Sequence, residues 1–173
     1  MYGETQSSIG YKGIVTICKQ YKNNIINKKT FNTGEPALFK AICKALAGYS
    51  IADNCPSYVK IGIVRSGNSE PSSILSVRTN VALTNGSYSN ELDDKGNSVN
   101  HKVSFSFSLV KDDLILDDED GDTLVEISMH SRNGDKLATV HTTVKDLQIE
   151  PQMSLVIKWD MFVSNKDEVE REG

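Results

Sequence analysis

The clearest pattern in the chain is two-residue alternation. Across 101–110 (HKVSFSFSLV), Val103, Phe105, Phe107 and Leu109 share one parity, and Ser104, Ser106 and Ser108 share the other. Neighbouring strand side chains point to opposite faces, so this segment predicts a strand with one greasy and one hydroxylated side. A sheet with one wet face is antiparallel. Residues 13–21 (GIVTICKQY) and 25–31 (IINKKTF) predict a hairpin turning at Lys22-Asn23-Asn24. In 58–65 (YVKIGIVR), Val59, Ile61 and Ile63 fall on one face. Residues 74–83 continue with Leu75, Val77, Val81 and Leu83, with a bend or bulge expected at Arg78-Thr79-Asn80. The closing strand, 154–164 (SLVIKWDMFVS), alternates through Leu155, Ile157, Trp159, Met161 and Val163. Val156 and Phe162 make its other side apolar too, which predicts a central or doubly covered strand.

One hairpin carries its own register. Segments 123–132 and 135–144 flank Asn133-Gly134, the favoured type I′ pair. A two-residue loop there sets Met129 opposite Ala138, Ile127 opposite Val140 and Val125 opposite Thr142. A one-residue slip would oppose apolar to polar side chains. The same register puts Glu126 opposite His141, and His130 opposite Leu137.

Helical spacing occurs once, over 35–47. Leu38, Ile42, Ala45 and Leu46 recur on one side, with Phe39 and Cys43 beside them and Lys40 and Lys44 opposite. Thr33 is the expected N-cap, Pro36 suits the first turn, and Gly48 stops the helix. The fold class is therefore mainly β: an antiparallel β-sandwich, jelly-roll-like, of about eight strands with one amphipathic α-helix near the N-terminus. Strands and helices do not alternate, which argues against a doubly wound sheet. The organisation is a polar N-terminal arm (1–12), a single domain (13–165) and an acidic C-terminal tail (166–173).

Composition adds limits. The 173 residues are 38% hydrophobic and 24% charged, which is globular usage. No apolar run approaches the ~20 residues of a membrane span, and the opening MYGETQSSIGYKG lacks a secretory leader pattern. The net charge of −4 argues against a dedicated nucleic-acid binder. Charge is uneven, however. Lys19, Lys22, Lys28, Lys29, Lys40 and Lys44 precede a segment carrying Asp112, Asp113, Asp117, Asp118, Glu119, Asp120 and Asp122. Opposite-signed regions suit a subunit that docks against copies or partners.

Chemistry is sparse. Cys18, Cys43 and Cys55 are odd in number and lack CxxC spacing, so neither a disulfide framework nor a zinc site is expected, and Cys43 is expected in the core. His101, His130 and His141 show no metal or hydrolase motif. His141 beside Glu126 is the one base–orienter arrangement, and its bland counterpart is an exposed cross-strand ion pair. The acidic run 117–122 (DDEDGD) fails as an EF-hand, because counting back from Gly121 puts Leu116 at the first ligand position. A looser calcium site through Asp118, Asp120 and Asp122 competes with a plain acidic turn. Asn85-Gly86-Ser87 reads as a turn. No catalytic, cofactor-binding or metal-binding residue is assigned, and no cofactor is expected.

The order of pieces carries a resemblance. Phe31-Asn32-Thr33-Gly34-Glu35-Pro36-Ala37-Leu38-Phe39 leads into the helix ending Ala45-Leu46-Ala47-Gly48. Ile127-Ser128-Met129-His130, Leu137-Ala138-Thr139-Val140 and Leu155-Val156-Ile157-Lys158-Trp159 follow. Together, from Tyr11 to Asn165, these resemble small virion structural proteins of crAss-like and related tailed bacteriophages. The acidic run and the tail after Lys166 have no counterpart in that pattern. The resemblance implies a non-enzymatic capsid-auxiliary or head-fibre protein on the virion, assembled in the host cytoplasm. It would be oligomeric and docked on capsid, portal-vertex or neck proteins, without nucleic-acid or membrane partners. The alternatives are a neck or tail component, or a carbohydrate- or receptor-binding module using Tyr49, Tyr58 or Tyr88.

Overall fold

The computed structural model describes residues 9–22, 24–50, 52–64, 73–74, 80–92, 94–96, 98–114 and 123–165. Its strands are β1 (Ile9–Tyr21), β2 (Asn24–Gly34), β3 (Pro56–Ile63), β4 (Ser73–Ile74), β5 (Val81–Ala82), β6 (Ser87–Leu92), β7 (Ser98–Leu109), β8 (Leu124–Ser131), β9 (Lys136–Thr143) and β10 (Ser154–Asn165). Helix α1 (Pro36–Leu46) follows β2, and a single helical turn, α2 (Val144–Leu147), follows β9.

The chain is mainly β and its pairings are antiparallel. The strands form one continuous sheet in the order β4-β3-β8-β9-β2-β1-β10-β7-β6, with β5 also against β3. The sheet curls until its two halves share one core. Alternate residues of β1, β7 and β10 (Val15, Ile17, Phe105, Phe107, Leu109, Leu155, Ile157, Trp159) meet Val59, Ile61, Val125, Ile127, Met129 and Val140 of β3, β8 and β9.

The joint between the halves is β2. Most of its length pairs with β1, from Asn24 opposite Tyr21 to Asn32 opposite Gly13. Its last two residues, Thr33 and Gly34, pair instead with Thr139 and Ala138 of β9. On the far side, a crossing segment among the described residues ties the halves. The Leu83 N–H donates to the Ser57 carbonyl at 3.0 Å, and the Thr84 N–H to the Ser106 carbonyl at 2.9 Å. Gly86 completes this crossing, because a Cβ there would sit 2.8 Å from the Phe105 ring.

Several expectations change. Ile9–Lys12, expected in the arm, pair with Asn165–Phe162 as the start of β1. Thr33 is a strand residue, and Glu35 is the N-cap of α1. Cys43, expected in the core, is exposed, as are Phe39 and Leu46. The apolar side of α1 is wider than the strip of sheet it covers. A second helical element, α2, was not expected. Its capping box joins Thr143 to Asp146, three residues on, a signal present in the sequence. Of the strand expected over 74–83, residues 75–79 lie outside the described residues.

The β8–β9 turn is one residue longer than a type I′ loop. The Gly134 N–H donates to the Ser131 carbonyl at 3.0 Å and the Ser131 N–H to the Asp135 carbonyl at 2.9 Å. Gly134 has φ +92 while Asn133 does not enter the left-handed region. This is a type I turn closed by a glycine bulge. The ladder then shifts between Met129 and His130. His130 therefore faces Lys136, not Leu137, and Leu137 is the extra residue. The two irregularities cancel, so Met129–Ala138, Ile127–Val140 and Val125–Thr142 pair as the hydrophobic pattern requires.

Candidate functional site

The described residues offer three places where function could reside. The first is a polar network on the outer face of β3, β8 and β9. Glu126 projects there and is only 4% exposed. The Lys136 ammonium donates to its Oε1 at 3.0 Å, and His141 Nε2 lies 3.5 Å from its Oε2. The register brought Glu126 and His141 together; it missed Lys136, which neutralises the carboxylate.

Four residues along β8, about 13 Å of strand, His130 stacks on Tyr58 with ring centroids 5.2 Å apart. Its Nδ1 lies 3.1 Å from the Gly134 carbonyl and its Nε2 lies 2.9 Å from Ser128 Oγ. A carbonyl only accepts, so Nδ1 carries the proton and Nε2 accepts from the serine hydroxyl. Burial lowers the pKa of His130, Lys60 and Lys136 add to that, and the Gly134 carbonyl opposes it. Ser128 and His130 thus hold the relation of a nucleophile to its base. Ser128 is only 2% exposed, however, so an acyl group cannot approach its oxygen in this conformation. The signal for the pair was a serine and a histidine two residues apart on one strand, which share a face.

The second place is an apolar cavity of about 320 Å³ between α1 and the concave side of the sheet. Leu38, Ala41 and Ala45 roof it, while Val103, Phe105 and Met161 floor it. Tyr11 closes one wall and donates its hydroxyl to Asn32 Oδ1 at 3.0 Å. Burial raises the Tyr11 pKa to about 12. Asn32 lies across the backbone of Gly13, where an added Cβ would fall 1.4 Å from Asn32 Oδ1. Nothing in the residue pattern announced this space, because it arises where α1 spans the curl.

The third is the outer face of β2, β1, β10, β7 and β6. Register places Lys29 and Phe31, then Lys12, Ile14 and Thr16, then Lys158, Asp160 and Phe162, then Lys102, Ser104 and Ser106, side by side on it. Ser87 and Ser89 extend it onto β6. Lys12 lies over the Phe31 ring at 5.6 Å, and Lys102 over the Phe162 ring at 5.9 Å. Asp160, the one acid among these residues, accepts from Ser104 Oγ at 2.5 Å and sits 3.6 Å from Lys158. This face is basic in a chain whose net charge is −4.

The other candidates scatter. Tyr49 and Tyr88 are exposed, and Tyr58 is half-buried against His130. The Tyr88 hydroxyl lies 2.9 Å from His101 Nδ1 and the two rings stack. The acidic run 117–122 lies outside the described residues. Among those described, no three His, Cys, Asp or Glu side chains gather to hold a metal, and no helix is long and apolar enough to cross a membrane. No family model, curated protein or solved structure matches this chain.

Proposed function

We propose that this protein is a non-enzymatic structural subunit of a tailed-phage particle, of the capsid-auxiliary or head-fibre kind. It docks as an oligomer on capsid or portal-vertex proteins and stabilises or decorates the particle. We read its curled sheet as a jelly-roll-like sandwich whose layers are joined through β2. The observation that carries this reading is the outer face of the five-stranded half. It is broad, built on long strands, rich in hydroxyls and lysines, and studded with Phe31, which is 70% exposed. Such a face fits an acidic protein surface, where complementary charge steers encounter and an apolar side chain anchors contact. The resemblance in the turn-and-helix and closing-strand segments supports the same reading. The chemistry-bearing side chains Glu126, Ser128, His130, Lys136 and His141 are engaged with one another.

Fractionation of infected cells on a density gradient tests the proposal. The chain is expected to band with intact particles and to resist a salt wash. Recovery only among soluble proteins would contradict it. A neck or tail component is the second reading, and a map of the particle separates the two. A carbohydrate-binding role through Tyr88 is weaker, since His101 already stacks on that ring.

A further inference from the structure

Helix α1 rises off the sheet as it runs. At its N-cap, the Glu35 N–H donates to the Leu137 carbonyl at 2.9 Å, and the Thr139 hydroxyl donates to Glu35 Oε1 at 2.8 Å. Along the side that faces the sheet, Leu38 is 5% exposed, Ala41 and Ile42 are half-buried, and Ala45 is exposed. The helix is thus pinned at one end and lifted at the other. Ala41 and Ala45 lie one turn apart, and their methyl groups leave the wedge beneath them unfilled. The result is the apolar pocket of about 320 Å³, which opens to solvent.

A second pocket, of about 430 Å³, adjoins it. Cys55, Pro56, Val103 and Phe105 line both, so the two meet along these four side chains. The second pocket has different chemistry, with Ser57, Thr84, Asn85 and Arg132 around it. Arg132 comes from the β8–β9 turn and is exposed. Among the described residues lining the two pockets it is the only charged one. No carboxylate among the described residues pairs with it.

A groove therefore runs from nearly pure hydrocarbon walls to a guanidinium. Each volume falls within the ~300–1,000 Å³ of small-molecule sites, which combine a largely apolar lining with a few placed polar groups. A neutral apolar ligand would leave the Arg132 end unused, and a cation would be repelled by it. A carboxylate matches it, because a guanidinium donates two parallel N–H bonds to the two oxygens.

We propose that this groove binds a single-chain carboxylate amphiphile of the fatty-acid kind, with its hydrocarbon chain under α1 and its carboxylate on Arg132. Val103, Phe105 and Met161 belong to the concave side of the sheet. The site is therefore separate from the wet outer face, and docking through that face neither requires nor excludes it.

Isothermal titration of the full chain with decanoate, below its micelle-forming concentration, tests the proposal. Decanoate is expected to bind saturably, one per chain. Decanol and decyltrimethylammonium are expected to bind about tenfold more weakly or worse, the loss that goes with one charge-assisted contact. Arg132→Gln should weaken decanoate about tenfold and leave decanol unchanged. Ala45→Phe, at an exposed helix position, puts a ring in the mouth of the wedge and should weaken decanoate and decanol alike, with unaltered circular dichroism. Unsaturable uptake of decanoate would overturn the proposal. So would equal affinity for the cationic amphiphile, or decanoate binding that neither substitution changes.

Discussion

The two halves of the sheet spend their polar residues differently. In β8 every residue from Val125 to Ser131 is buried, so both of its faces are covered. Its outward side chains are satisfied by neighbours on the same face: Glu126 by Lys136, and Ser128 by His130. In β7 and β10, by contrast, one face is core and the other is wet. Phe105, Phe107, Ile157 and Trp159 are buried, while Ser108 and Lys158 are exposed and Ser104 and Ser106 half-exposed. The first half behaves as scaffold. The second leaves a broad face open to solvent, on which Ser104 and Lys158 engage Asp160 and Ser106 engages Thr84. The contrast shows that a polar residue on a strand is no mark of a site until its partners are known.

Predictions sharpen this contrast. The largest effect is expected in the shared core. Trp159 is fully buried, and Trp159→Ala should cost about 3–5 kcal/mol, read from urea denaturation. A loss below about 1 kcal/mol would mean that the halves do not share that core. Next is Glu126→Ala, which removes the nearly buried carboxylate that Lys136 and His141 share. The expected cost is about 2 kcal/mol, against less than about 0.5 kcal/mol for Lys29→Glu, exposed on the wet face. Similar costs for both would erase the distinction between the halves.

Gly13→Ala should cost about 1–3 kcal/mol, because its Cβ must displace the Asn32 side chain from its bond with Tyr11. Most of that cost should vanish in an Asn32→Ala background, a coupling that a double-mutant cycle measures. The smallest effect concerns the Asp146 knot at the joint between the halves. Burial works to raise its pKa, but the Lys28 ammonium and the Thr142 and Thr143 donors outweigh it and hold the carboxyl at about 2. The folded pKa is below the unfolded one, so the bonus is complete above about pH 5 and is lost as pH falls through 4 toward 2. It amounts to about 1–2 kcal/mol. Asp146→Asn should therefore be less stable than the parent at pH 6, and the gap should close by pH 2.

Much of the sheet was legible in the sequence because two-residue alternation leaves a plain trace. The serine-facing strand through Phe105 and Phe107 and the opposition of Ile127 to Val140 follow directly from it. The turn was misread because Asn133-Gly134 serves two loop lengths, and only the bulge at Leu137 distinguishes them. The switch of β2 from β1 to β9 at Thr33 has no local signature, since pairing partners are chosen by the curl of the whole sheet. Cys43 and Phe39 misled for a similar reason. Helical period shows which residues share a face, and not how much of that face a neighbour covers. The cavity lies where that coverage ends. The Ser128–His130 pair was readable from its spacing, but its burial was not.

The central claim is that the wet face of the five-stranded half is the part of this molecule that meets another. Charge reversal at Lys29 and Lys102 tests it most directly, with incorporation into purified particles as the readout. The account predicts a variant with unaltered circular dichroism and melting that is missing from the particles. A folded variant incorporated as well as the parent would contradict it.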